Sequence, residues 1–381
     1  LKHLLLHGGA ADAGDTLPLP PSVQAVLAQR LAVLSPAALG LAHVAAVAGA
    51  DFSAELAADV LQTPLVALAP PWAELQAAQV LRNVAASVKG TDARAQELSH
   101  ESLHDFSHES VRDAVWLSLP QALRGPVHAR VAASLAQRGA APQQVARHYA
   151  AAGDLAAAAP WALAAAAQAL RLGGTAQRLA HLRQAADWFA QAGDAAAAFD
   201  ARVASVEACL AHEGLAPAAA LAAQLLPQAT TPAQRLALRL AQAGVGLAGY
   251  DVALCQQAAA AALDEAAPGT ADELQARVLL AAGRALGGDV AQAVADVQAV
   301  QAAVAAVQDP LMAAGLWGHC AVVHNANGSS QACVAALQQQ QRWAQQAGHA
   351  EMLAGALGSL SGQYTTLGDN EGAIRAAQDA A

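Results

Sequence analysis

The sequence predicts an all-α protein: a solenoid of stacked helix pairs, preceded by a small helical domain. Three observations lead there. Roughly three residues in ten are alanine, the best helix former, while aromatics make up 3 % and Ile374 is the single isoleucine. Hydrophobic residues reach 55 % against 13 % charged, so extensive helical faces must pack with few bulky side chains. From about residue 145 the chain also repeats itself at a fixed interval. A sandwich, a barrel or a large parallel sheet is not expected, and 381 residues allow two or three domains.

The repeats define the second part of the chain. Gly288 begins GDVAQAVADVQ, Gly328 begins GSSQACVAALQ and Gly368 begins GDNEGAIRAAQ, a strict 40-residue period. A small residue follows five positions on (Ala293, Cys333, Ala373), an aliphatic at six (Val294, Val334, Ile374) and a glutamine at ten (Gln298, Gln338, Gln378). One period earlier the register lands on Ala248, with Gly249 beside it and Ala253-Leu254 in the matching places. Gly153-Asp154 and Gly193-Asp194 form a further pair, and Gly214 marks a shorter unit. Each glycine is expected to end one helix in the left-handed conformation, and the following aspartate to cap the next. The small residue then sits where two helices cross closely. One such pair cannot bury its apolar face alone, so consecutive pairs stack. With its Gly-Asp turns and knobs at Tyr149, Trp161, Trp188, Phe199, Trp317, Trp343 and Tyr364, the array resembles tetratricopeptide repeats in a loose 40-residue form, which implies a right-handed superhelix.

The first third does not repeat and is richer in histidine and proline. Residues 17–59 read as three short helices with a Pro-Pro opening and a Gly-Ala-Asp-Phe turn. Residues 72–88 read as one or two helices, and 103–138 as an extended piece, a helix, a Pro120 turn and a second helix. Leu31 to Ala50 carries no charge over 20 residues, but the Ser35-Pro36 break and His43 favour two buried helices over a membrane span.

In order along the chain stand Leu19-Pro20, Arg30-Leu31, the run from Ala45 to Phe52 (Ala-Ala-Val-Ala-Gly-Ala-Asp-Phe), Phe106-Ser107-His108, Arg112, Leu119-Pro120, Arg124 and His128. This order is similar to the region following the nucleotide-binding core of bacterial STAND-type signal-transduction ATPases, where a repeat array also follows. The resemblance implies residues 1–20 as the tail of an upstream ATPase domain, 21–140 as a helical plus winged-helix-like linker domain, and 141–381 as the repeat solenoid. It makes Phe106, His108, Arg112, Arg124 and His128 motif residues. It gives His108 a possible role as sensor of the ADP phosphate, alongside the plainer reading that it caps the following helix.

Chemistry within the chain itself is sparse. The G-x-x-x-x-G-K-[ST] phosphate loop is missing, so the chain is not expected to be an enzyme or to hold a cofactor, and ATP or ADP with Mg is expected only in a longer parent. His100-Glu101-Ser102-Leu103-His104 matches the zinc-peptidase pattern H-E-x-x-H; that reading is a remote alternative, because 103–106 is expected to be extended and SHES occurs twice. His319, Cys320, His324 and Cys333 form a loose cluster, read as core cysteines with histidines at the solvent edge, and no metal is expected. The four cysteines show no C-x-x-C pair, consistent with reduced thiols and a cytoplasmic protein. Lys+Arg 20 against Asp+Glu 30, a net charge of −10, argues against nucleic acid as a direct partner. The expected function is regulatory: a protein, peptide or small-molecule effector on the concave repeat surface biases an upstream ATPase domain, with oligomerisation on activation possible. The alternative is a stand-alone repeat scaffold.

Overall fold

A computed structural model describes residues 21–83 and 104–380. The chain divides into two compact units meeting at Asp154 and Leu155. In the first, α1 (Pro21–Ala32), α2 (Pro36–Ala48), α3 (Ala54–Leu61) and α4 (Ala69–Ala77) precede two short strands, β1 (Leu81–Asn83) and β2 (His104–Phe106); α5 (Glu109–Ser118), α6 (Gln121–Gln137) and α7 (Pro142–Ala151) follow. Ser35 caps α2, its side chain accepting from the Ala38 amide, with Pro36 at the first helical position. Helix α2 is the hub of this unit. It packs against α3, α4, α5 and α6, and buries Leu41, Val44 and Val47 together with Ala38, Ala42, Ala45 and Ala48. The uncharged stretch is therefore core, and no helix of the described residues is long and apolar enough to cross a membrane.

The helix expected over 72–88 stops short. Helix α4 ends at Ala77, Gln79 takes a left-handed turn (φ 53°), and the chain becomes strand β1. Buried Val80 and Leu81 explain the change: an extended chain delivers both to the core, and β1 finds an antiparallel partner in β2 with Leu81 opposite Phe106. Ser107 completes the ribbon, its amide donating to the Val80 carbonyl and its hydroxyl to that of Gln79. Helix α7 packs on α6 within the first unit.

The second unit is helical throughout its described residues: α8 (Leu155–Arg171), α9 (Thr175–Gln191), α10 (Ala195–His212), α11 (Leu215–Leu225), α12 (Pro232–Ala248), α13 (Val252–Glu265), α14 (Ala271–Leu286), α15 (Val290–Ala306), α16 (Pro310–Ala326), α17 (Ser330–Ala347), α18 (Ala350–Thr366) and α19 (Asn370–Asp379). Sequential neighbours pack antiparallel, and α10, α12, α14 and α16 also stack on one another, so the unit is a tetratricopeptide-like solenoid. Gly153, Gly193, Gly288, Gly328 and Gly368 stand in turns with φ of 81°, 87°, 93°, 67° and 80°. Asp194 and Asp369 cap the next helix as expected, accepting from the Ala197 and Gly372 amides.

The earliest of the 40-residue registers is shifted. The left-handed residue is Tyr250 (φ 55°), not the glycine beside it, and Asp251 caps α13 through the Leu254 amide. Counting five from Tyr250 reaches Cys255 rather than Ala253. Cys255, Ala293, Cys333 and Ala373 are then equivalent, and each is buried. The position must be small because backbone crosses it: a Cβ at Gly246 would lie 2.6 Å from the Cys255 amide nitrogen, and one at Gly283 would lie 2.9 Å from its sulfur.

The array returns on itself. A Cβ at Gly348, in the α17–α18 turn, would lie 3.6 Å from the Arg171 side chain at the end of α8, and one at Gly173 would lie 3.7 Å from Ala350 Cβ. Helices α8 to α18 thus complete one superhelical turn.

Candidate functional site

Inside that turn lies a cavity of about 610 Å³, within the range of small-molecule sites. Alternate helices build it, and α10, α12, α14 and α16 each give one stripe at helical spacing. Helix α12 contributes Ala237, Leu240, Ala241, Gly244 and Val245; α16 contributes Leu311, Met312, Gly315, Leu316 and His319. Val203, Ala204, Glu207 and Leu210 come from α10, Ala271, Asp272 and Gln275 from α14, and Met352 from α18, while Asp309 lies at the start of α16. The wall is apolar with a few convergent polar groups.

Those polar groups are fixed in place. Glu207 Oε2 accepts from Arg178 Nη2 at 3.0 Å, and Arg178 is itself buried. Asp309 caps α16, with Oδ1 accepting from the Met312 amide at 2.7 Å. Outside the lining, His349, buried between α17 and α18, accepts from the Met352 amide through Nδ1. Burial lowers the His349 pKa, and the nearby Glu207 carboxylate pulls it the other way.

His319 is placed differently from the solvent edge expected for it. It lines the cavity, its Nδ1 is buried without a hydrogen-bond partner among the described residues, and burial lowers its pKa to about 4. The ring is therefore neutral near pH 7. Cys320 and Cys333 turn into the core: burial raises the Cys320 thiol to about 12, and the Cys333 thiol donates to the Ala321 carbonyl. Among the described residues no group of three or more His, Cys, Asp or Glu could hold a metal. Of the H-E-x-x-H run, His100 and Glu101 lie outside the described residues. Ser102 and Leu103 lie outside them too, and His104, the last residue of the run, stands in strand β2.

In the first unit Arg124 and His128 meet on Trp116, while Phe106, His108 and Arg112 make contacts of their own. Phe106 is buried in β2. His108 caps α5, its Nδ1 accepting from the Ser110 amide at 3.2 Å. Arg112 pairs with Glu109 at 3.0 Å and Asp113 at 3.4 Å. Arg124 lies 4.7 Å over the Trp116 ring and donates to the Trp116 and Leu119 carbonyls, closing the end of α5. His128 packs its ring edge-on to Trp116, and its Nδ1 meets the Nδ1 of His148 at 2.9 Å.

The contact of His128 with His148 leads into a group the sequence did not announce. His148 Nε2 lies 3.4 Å from Asp51 Oδ2, which also accepts from Arg147 at 2.6 Å, while Asp51 Oδ1 accepts from Gln144 at 2.6 Å. Burial alone would raise the Asp51 pKa; the bonding of His148 and the charge of Arg147 outweigh it and hold the carboxyl below its ordinary value. Asp51 closes the 3-10 turn Gly49–Asp51 within the Ala45–Phe52 run, and its buried contact with α7 joins that turn to the helix.

No protein-family model matches the chain, and no curated protein sequence matches it. Among solved structures it is similar to a signal transduction ATPase with numerous domains (STAND) protein with a tetratricopeptide repeat sensor, from Pyrococcus horikoshii. The TM-score is 0.57 at 10 % identity, over 97 % of this chain and 53 % of that one. The chain therefore spans about half the length of the protein it resembles. At this identity the likeness establishes a shared helical-repeat fold.

Proposed function

We propose that this chain is the regulatory portion of a STAND-type signal-transduction ATPase, and that its repeat unit senses an effector held in the cavity between α10 and α18. One observation carries the reading: the solenoid completes a turn around a cavity of small-molecule size, lined by five helices far apart in sequence. A ligand there touches all five at once, so its binding energy can bias how the turn is closed. The fold shared with a STAND protein bearing a tetratricopeptide repeat sensor supports the assignment. In this reading the chain is not an enzyme. ATP or ADP with Mg belongs to an upstream ATPase domain, and the first unit, with His108 at the start of α5, links that domain to the sensor. The regulated output is transcription or a linked cyclase.

The coding sequence upstream of Leu1 tests the switch: an in-frame G-x-x-x-x-G-K-[ST] loop is expected, and its absence leaves a repeat scaffold instead. In the longer protein, Gly244→Leu, which fills the cavity, is expected to uncouple ATP turnover from effector. Turnover that responds normally in the variant overturns the cavity as the sensing site.

A further inference from the structure

Two glycines in the cavity wall have no structural employment. Gly244 in α12 and Gly315 in α16 sit in helix interiors, where glycine costs about 1 kcal/mol relative to alanine. A Cβ at either would meet nothing within 4 Å, although both residues are half-buried. Neighbouring glycines in the same helices behave oppositely. A Cβ at Gly246 would strike the Cys255 backbone, and one at Gly318 would lie 2.6 Å from the Gln340 side chain. Gly246 and Gly318 sit where a neighbouring helix packs; Gly244 and Gly315 face the open volume of the cavity.

The charges around that volume are one-sided. Glu207, Asp272 and Asp309 line it, and no Lys or Arg does. Asp272 and Asp309 have no cationic partner among the described residues, and His319 adds no positive charge because burial keeps it neutral near pH 7. An anionic ligand would look for helix N-termini, yet those nearest the cavity are already capped, α16 by Asp309 and α14 by Thr270. Resting on the reading of this cavity as the effector site, we infer that it takes a small organic cation with an apolar body: the body fills the space above Gly244 and Gly315, and the charge lies against Asp272 and Asp309, while Glu207 is already paired with Arg178.

Three probes share one body and differ in charge: 4-phenylbutylamine, 4-phenylbutanol and 4-phenylbutyrate, each titrated calorimetrically into the purified chain. The amine is expected to bind most tightly and the carboxylate least. Asp272→Asn should weaken the amine about threefold and leave the alcohol unchanged, as for a partly exposed ion pair. Gly244→Leu and Gly315→Leu should abolish binding of the amine while keeping the helical circular dichroism; should either unfold, Asp272→Asn carries the test alone. Alcohol or carboxylate binding as tight as the amine overturns the cation inference while leaving the cavity as an effector site. Failure of all three to bind, or binding undiminished in the folded leucine variants, also overturns it. Effector-dependent ATP turnover of the longer protein judges the sensing role separately.

Discussion

His128 and His148 face each other through their Nδ1 atoms, 2.9 Å apart, in the first unit. One ring must donate and the other accept, so the bond exists only while at least one Nδ1 is bare. Burial, reinforced by the neighbouring His148 and Arg147, lowers the His128 pKa from 6.5 to about 4. Between those values the unfolded chain takes up a proton that the folded chain refuses. Stability is therefore full above about pH 6.5 and falls as the pH drops toward 4, with His319 contributing the same sign from its own unit. Urea midpoints measured from pH 7.5 to 4 should decline over this window, and His128→Gln should flatten the slope. An unchanged slope contradicts the assignment.

Gly246 and Gly244 stand two residues apart on α12 and are expected to respond oppositely to alanine. Gly246→Ala drives a methyl against the Cys255 amide and should destabilise the chain by about 1–3 kcal/mol. Gly244→Ala meets nothing and should stabilise it by up to about 1 kcal/mol. Chemical denaturation of the pair checks the sign of each.

Tyr250 occupies the left-handed position that glycine fills in the later turns, and its side chain is 78 % exposed. Little burial is lost on removing it, whereas its backbone conformation costs a non-glycine residue about 1 kcal/mol. Tyr250→Gly should raise the melting temperature, and Gly288→Ala, at φ 93°, should lower it.

His108→Ala removes the α5 cap and should cost about 1 kcal/mol in the isolated chain. In the longer ATPase proposed above, the same variant is expected to weaken ADP binding by more than this stability loss produces. ADP affinity equal to wild type would leave His108 as a cap alone.

Much of this architecture can be read from the residues. Gly288, Gly328 and Gly368 mark turns because glycine alone adopts their backbone cheaply, and the small residue five positions later marks a helix crossing. Tyr250 hid the turn before Gly288, since nothing in its chemistry announces a left-handed backbone and the spacing there contracts by two. Strand β1 was obscured because Val80 and Leu81 suit a buried helix as well as a buried strand until a partner pairs with them. The cavity was out of reach for another reason: it takes a stripe from each of four helices and one residue from a fifth, and no local pattern separates Gly244, which faces open space, from Gly246, which lets a backbone through.

The contact of the Gly348 turn with Arg171 has a consequence for how this array can vary. An open solenoid tolerates the gain or loss of a unit, because each repeat answers only to its neighbours. Here α17 and α18 must arrive where α8 ends, so a pair inserted or deleted between them would miss the seam and change the circumference of the cavity. The number of repeats between α8 and α18 is thereby held by geometry, and lineages that keep the seam should exchange side chains within these units far more readily than whole units.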